Sequence, residues 1–87
     1  MAKGDFYRWL VRQATERVPE DTVAELGQQV ALAVEANAAL GRILTLQGHR
    51  DEYHAILTRE VSVDAGGESA FHRAFQRAWA EWRRSLT

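Results

Sequence analysis

The chain has 87 residues, of which 46% are apolar and 26% are charged, and its formal net charge at pH 7 is −1. This length supplies one small hydrophobic core, so we expect a single helical domain over residues 1–87. The near-zero net charge argues against a dominant phosphate-binding surface. No apolar run approaches the ~18 residues of a membrane span. The absence of cysteine excludes disulfides and thiolate chemistry.

The first helix is predicted over residues 6–17. Asp5 is expected to be its N-cap, because a carboxylate at that position accepts hydrogen bonds from the free amides of the first turn. The apolar positions that recur at helical spacing include Phe6, Trp9 and Leu10. Pro19 disfavours helical geometry at the residue before it, so the helix is expected to end there.

The second helix is predicted to begin at Thr22, which has the capping-box spacing to Glu25. Its buried stripe at helical spacing comprises Val23, Leu26, Val30 and Val34. Gly27 lies inside the helix, where glycine costs about 1 kcal/mol relative to alanine, and this indicates that another helix approaches closely. Asn37 or Gly41 is expected to end the helix.

The middle of the chain admits two interpretations. Residues 42–47 are apolar enough for a short buried helix or for a strand. In the second case the fold is α+β, with a short hairpin around residues 42–47 and 60–64. The alanine-rich flanks favour the helix. Gly48 is then expected to end this segment, and Asp51 to cap a further helix that runs to about Arg59.

The terminal helix is predicted over Ser69 to Leu86, with Ser69 as its cap after a glycine-containing loop. Its apolar stripe follows steps of four, four, three and four residues and comprises Phe71, Phe75, Trp79, Trp82 and Leu86. Because so much apolar surface must be covered, we expect Trp79 to be buried against Trp9, Leu10 and the second helix. The chain as a whole predicts an all-α fold, a compact bundle of four or five helices.

Charge is distributed unevenly along the chain. Residues 1–17 and 69–87 are each net basic, whereas residues 18–40 carry four acids and no base. Such a pattern is also typical of ordinary solvated faces. We expect a basic, partner-binding face on the first and last helices, formed by Arg8, Arg12, Arg73, Arg77 and Arg84. The acids expected on a different side of the domain are Glu20, Asp21, Glu25 and Glu35.

Three helical segments carry a family resemblance. They are Phe6-Tyr7-Arg8-Trp9-Leu10, Thr22-Val23-Ala24-Glu25-Leu26 and Phe75-Gln76-Arg77-Ala78-Trp79-Ala80-Glu81-Trp82. They resemble the YozE-type SAM-like family, whose members open on a Phe-Tyr-x-Trp-Leu helix and close on a Phe-x-x-Ala-Trp helix. Residues 51–57 resemble its third core helix, and an alanine-rich run replaces its Phe-Pro turn. The resemblance implies a SAM-like bundle that binds proteins, self-associates or in some cases binds nucleic acid, and it implies no catalytic residue.

No catalytic, cofactor-binding or metal site is predicted. His49, Asp51 and His54 fall within six residues, but a spacing of five does not place the two histidines on one helix face, and no third strong ligand is near. The Gly66-Gly67 pair lacks the lysine and the preceding strand of a phosphate loop. The aromatic stripe of the terminal helix has the spacing of a core rather than of a base-stacking platform. We therefore expect a protein that is not an enzyme and has no cofactor.

Three functions stay open at this point. The first is a non-catalytic module that binds a protein partner or itself, weakly and with salt sensitivity, through the basic face. The second is a small nucleic-acid-binding domain, which the acidic middle of the chain disfavours. The third is a small inhibitor or regulator of a larger complex, of host or phage origin. The amino terminus lacks a signal-peptide core, so we expect a cytoplasmic protein with no membrane partner.

Overall fold

Five α-helices pack together in the computed structural model, which describes residues 3–86. They are α1 (Asp5–Glu16), α2 (Thr22–Ala36), α3 (Ala38–Thr45), α4 (Arg50–Val61) and α5 (Glu68–Ser85). The Cα radius of gyration is 11.6 Å, and the principal extents are 29 × 27 × 23 Å. The predicted all-α bundle of four or five helices is confirmed. The hairpin alternative is wrong, because residues 3–86 contain no strand and residues 42–47 belong to α3 and its C-terminal end.

None of the helices within residues 3–86 combines the length and the apolar character that a membrane crossing demands.

The start of α1 differs from the predicted cap. Asp5 is the first residue of the helix, and Gly4 precedes it with a positive φ of 81°. The Gly4 amide donates to the carbonyl of Gln47 at 2.8 Å, so the loop after α3 holds the beginning of α1. Asp5 instead pairs with Arg8 at 3.2 Å. A left-handed residue in this place favours glycine, because it has no Cβ to clash with the backbone.

The start of α2 shows a competition between neighbouring caps. Asp21, and not Thr22, is the N-cap: its Oδ1 accepts from the amide of Val23 at 2.8 Å and from that of Ala24 at 3.3 Å. Aspartate caps a helix more strongly than threonine, which explains why the predicted capping box of Thr22 is wrong. The predicted end at Asn37 is confirmed, and the same side chain caps α3 through the amide of Ala39.

The last two helices also begin before their predicted caps. His49 precedes α4, and its amide donates to the Glu52 carboxylate at 3.3 Å. Asp51 therefore lies in the first turn, where negative charge is favourable at the positive end of the helix dipole. Gly67 precedes α5 with φ 101°, so Ser69 lies inside the first turn rather than at the cap.

The core is an aromatic cluster centred on Phe6, which is 1% exposed. Its ring lies 4.8–6.1 Å from five other rings, those of Trp9, Tyr53, Phe75, Trp79 and Trp82. The expectation that Trp79 is buried against Trp9, Leu10 and α2 is wrong about its burial. Trp79 is half-buried at the edge of the cluster, beside Tyr53 of α4, while Trp82 is 4% exposed. The apolar stripe of α5 therefore points between α1 and α4, and Leu86 at its end is 48% exposed.

Gly27 lies where α1 crosses α2. A Cβ at this position would collide with the carbonyl oxygen of Leu10 and would approach the amide nitrogen of Ala14 at 3.4 Å. The predicted close helix approach is confirmed. Glycine is retained inside α2 because the backbone of α1 occupies the space that a side chain would need.

Candidate interaction surface

A groove of about 370 Å³ runs between α2 and α5 and is called here the α2–α5 groove. The residues that line it are Thr22, Glu25, Leu26, Gln29, Ala65, Ala70, Arg73, Ala74 and Arg77. Ala70 and Ala74 have short side chains and form the floor of the groove on α5, whereas the longer side chains of Arg73 and Arg77 form its wall. The groove thus combines a small apolar floor with two guanidinium groups on one wall and Glu25 on the other.

An ion-pair network of Arg17, Asp21, Arg77 and Glu81 closes the end of the groove towards α1. Glu81 accepts from Arg17 at 2.8 Å and from Arg77 at 2.9 Å. Asp21 lies 3.4 Å from Arg17 and 3.8 Å from Arg77. The side chains of Arg17, Asp21 and Glu81 are only 20–24% exposed, so water screens these pairs less than it screens pairs on an open surface. The network joins the end of α1, the cap of α2 and the middle of α5.

The two carboxylates of this network are held in their charged forms. Burial alone would raise the pKa of Asp21, but hydrogen bonds from the amides of Val23 and Ala24 and the charges of the two arginines outweigh it, and the pKa is lowered. Burial likewise opposes ionisation of Glu81, whose pKa is nevertheless lowered by hydrogen bonds from Arg17 and Arg77. The hydrogen bond to Glu81 raises the pKa of Arg17.

We expect acid to weaken the fold through these two carboxylates. Because their pKa values are lower in the folded chain than in the unfolded chain, where they are about 4, the folded state binds fewer protons. The free energy of unfolding therefore falls as the pH drops below about 4.5 and through the folded values. Urea denaturation at pH 7, 4 and 3 measures this loss.

The Asp21→Asn/Glu81→Gln double variant should be less stable than wild type at pH 7, and its free energy of unfolding should fall less on acidification. Glu35→Gln is the control, because it removes a carboxylate of α2 that lies outside the network. Parallel pH profiles for wild type and the double variant would contradict this role.

The five arginines predicted to form one basic face lie in different surroundings. Arg73 and Arg77 line the α2–α5 groove. Arg8 and Arg12 line a second depression of similar size with Trp9 and Trp82, called here the α1–α5 depression. Arg84 is exposed on α5 and belongs to the lining of neither.

The expectation that the acids of residues 18–40 lie on a different side is wrong for two of them. Asp21 is 3.8 Å from Arg77, and Glu25 lines the same groove as Arg73 and Arg77. The reason is that the first turn of α2 packs beside the middle of α5, where opposite charges attract. Glu20 and Glu35 are exposed and lie outside the groove.

A histidine pair joins α4 to α5 on the other flank of Arg73. Nε2 of His54 lies 3.1 Å from Nδ1 of His72. The ring of His54 also packs edge-on against Phe75 at 5.1 Å. Burial, followed by the positive charges of His72 and Arg50, lowers the pKa of His54. The pair shares a cavity with Glu68, Ser69 and Arg73.

Sequence reasoning missed His72 because it lies 18 residues from His54 on another helix. The available signal was the spacing of four between Glu68 and His72, which places both on one face of α5. His49 and Asp51, which the sequence placed beside His54, are not part of the histidine pair. In the described part of the chain, no three histidine, aspartate or glutamate side chains already converge as a set of metal ligands.

Comparison with known proteins adds no further identification. No protein-family model, no curated protein and no solved structure matches this chain. The resemblance to the YozE-type SAM-like family therefore stays a prediction.

Proposed function

We propose that this protein is a non-catalytic interaction module whose α2–α5 groove binds an acidic segment of a protein partner. The proposal rests on the exposure of Arg73 and on its lack of an ion-pair partner in the described part of the chain. Arg73 is exposed on the rim of the groove, and it makes no ion pair with any residue in 3–86. One helical turn away, Arg77 is already held by Glu81 and Asp21. The groove therefore offers one guanidinium that is available and one that is fixed in place.

The chemistry of the groove defines the kind of segment that fits. A guanidinium binds a carboxylate through two parallel hydrogen bonds, so an aspartate or glutamate is the natural partner of Arg73. Ala70 and Ala74 form a floor on which a small apolar side chain can lie. Thr22, Gln29 and Glu25 on the opposite wall supply hydrogen-bonding groups that can orient a bound backbone. The preferred ligand is therefore a segment that alternates acidic and small apolar residues.

Self-association receives less support than binding to another protein. Head-to-tail assembly through opposed charges needs an acidic surface that is separate from the basic one. Here Asp21 pairs with Arg77 at 3.8 Å, and Glu25 lines the same groove as Arg73 and Arg77. The groove is also open to solvent, and an exposed ion pair contributes at most about 1 kcal/mol. We expect a dissociation constant in the micromolar to millimolar range that rises with salt.

We expect the charge of Arg73 to control binding. The probe is a fluorescein-labelled peptide of alternating glutamate and alanine, followed by anisotropy at low and high salt and by amide chemical shifts. Wild type should bind at low salt with shifts along residues 22–29 and 70–77, and Arg73→Glu should weaken binding at least about tenfold. Arg83→Glu makes the same charge change on α5 outside the groove and should bind like wild type.

Three results would contradict the proposal. Arg73→Glu and Arg83→Glu could bind equally well, which would remove the groove from the interaction. The shifts could fall instead on the α1–α5 depression around Arg8 and Arg12. A labelled thymidine oligonucleotide could bind more tightly than the peptide and lose affinity in Arg73→Glu, which would favour the nucleic-acid alternative. Sedimentation of the protein alone at low salt tests self-association in the same samples.

A further inference from the structure

The histidine pair has the spacing of neighbouring ligands in a metal coordination sphere. Bonds from zinc to imidazole nitrogen are about 2.0–2.1 Å long, so two nitrogens on one ion lie roughly 2.8–3.4 Å apart, from square to tetrahedral geometry. The nitrogens of His54 and His72 are 3.1 Å apart. We propose that His54 and His72 bind a divalent transition-metal ion such as Zn²⁺, with the Glu68 carboxylate as a third ligand. This proposal does not rest on the function proposed for the α2–α5 groove, although Arg73 lines both cavities.

The two nitrogens are held together by the packing of separate helices. His54 is half-buried, and its ring packs against Phe71 at 5.6 Å and Phe75 at 5.1 Å, which restricts its orientation. The His72 ring stands at 86° to that of His54. An ion that bound both imidazoles would replace the hydrogen bond between them, and each ring would turn so that its nitrogen lone pair points at the ion instead of at the other ring. The fold already supplies the short distance between the two nitrogens.

Glu68 is placed to complete the site. It lies one helical turn before His72 on α5, and it lines the same cavity of about 400 Å³. Because residues i and i+4 of a helix are neighbours on one face, the carboxylate can turn towards the His72 ring. No set of three ligands is assembled within residues 3–86, so Glu68 must move into the site when the ion binds. The cavity is open, which leaves space for water in the remaining positions.

The surrounding charges set an upper limit on affinity. Arg73 lines the cavity, and the guanidinium of Arg50 lies over the Phe75 ring, so both oppose a bound cation. Asp51 and Glu68 act in the opposite sense at His54. We therefore expect binding weaker than at a closed structural site with four ligands. Imidazole and carboxylate donors favour Cu²⁺, Zn²⁺ and Ni²⁺ over Mn²⁺, and the scarcity of oxygen ligands disfavours Mg²⁺ and Ca²⁺.

The test uses untagged protein that has been treated with a chelator and is titrated with Zn²⁺ at pH 7.5 by calorimetry. We expect one ion per chain and a dissociation constant on the order of micromolar. His54→Gln and His72→Gln should each weaken binding by more than about tenfold, and Glu68→Gln should weaken it less. His49→Gln removes a nearby histidine outside the pair and should bind like wild type. Ring resonances of His54 and His72 should shift together on addition of Zn²⁺.

Two outcomes would overturn the site. One is the absence of binding by the folded wild-type chain at millimolar Zn²⁺. The other is binding that survives both histidine substitutions or that is lost in His49→Gln. Circular dichroism of each variant shows whether it is folded, and Mg²⁺ serves as the control ion because it should give no heat of specific binding.

Discussion

Replacing Phe6 with alanine is expected to lower the free energy of unfolding by about 3–5 kcal/mol. The Phe6 ring is almost completely buried and contacts rings from α1, α4 and α5, so its removal leaves a cavity where three helices meet. A chain of this size has roughly 4–13 kcal/mol of stability in total, so the variant should lose a large share of it and unfold at a clearly lower urea concentration. Urea denaturation followed by tryptophan fluorescence and by circular dichroism measures the loss.

Two matched variants distinguish the centre of the cluster from its edge. Phe6→Leu retains most of the buried volume and should lose less than Phe6→Ala. Trp79→Ala removes a larger side chain, yet it should also cost less than Phe6→Ala because Trp79 is only half-buried. A Trp79 variant less stable than Phe6→Ala would show that the cluster is centred on α5 rather than on Phe6.

The Gly27→Ala variant should lose more than about 2 kcal/mol of stability, although alanine is the better helix former by about 1 kcal/mol. The added methyl group would collide with the backbone carbonyl of Leu10. A backbone carbonyl cannot rotate away as the end of a long side chain can, so the α1–α2 crossing itself has to widen. Thermal and urea denaturation give the difference directly.

The control for this prediction is another glycine of the same chain. A Cβ at Gly48 would meet only the side chain of Lys3, at an ordinary distance of 3.7 Å. Gly48→Ala should therefore change stability by no more than about 0.5 kcal/mol. If Gly27→Ala proved as stable as wild type, the helices would not cross at the distance described.

Features that depend on residues close together in the sequence could be predicted, whereas features that depend on contacts between distant residues could not. The helix at residues 42–47 and the close contact at Gly27 were predictable, because periodicity and propensity are local. The cap at Asp21 was missed by one residue, since two good capping residues are adjacent and only their relative strength decides. Gly4 was missed for a different reason. Its conformation is held by Gln47, more than 40 residues away, and no local pattern contains that hydrogen bond.

The candidate sites show the same difference between local features and contacts that depend on tertiary packing. The sequence predicted a basic face that includes Arg73, Arg77 and Arg84 of α5. It did not reveal that Asp21 and Glu25 of α2 lie beside two of them, because that depends on which turn of α2 meets α5. The meeting of His54 and His72 depends in the same way on the packing of α4 against α5. Helix faces can thus be predicted from one sequence, whereas the pairing of faces needs the tertiary structure.

The contact of Phe6 with Trp82 has a consequence for synthesis of the protein. The Phe6 ring in α1 packs against Trp82 of α5, with a centroid distance of 5.5 Å, so its burial requires the final helix. A nascent chain that still lacks α5 lacks three of the five rings that surround Phe6, those of Phe75, Trp79 and Trp82. We therefore expect ribosome-bound chains that end before residue 82 to stay sensitive to protease, and protection to arise in one step once α5 has left the exit tunnel.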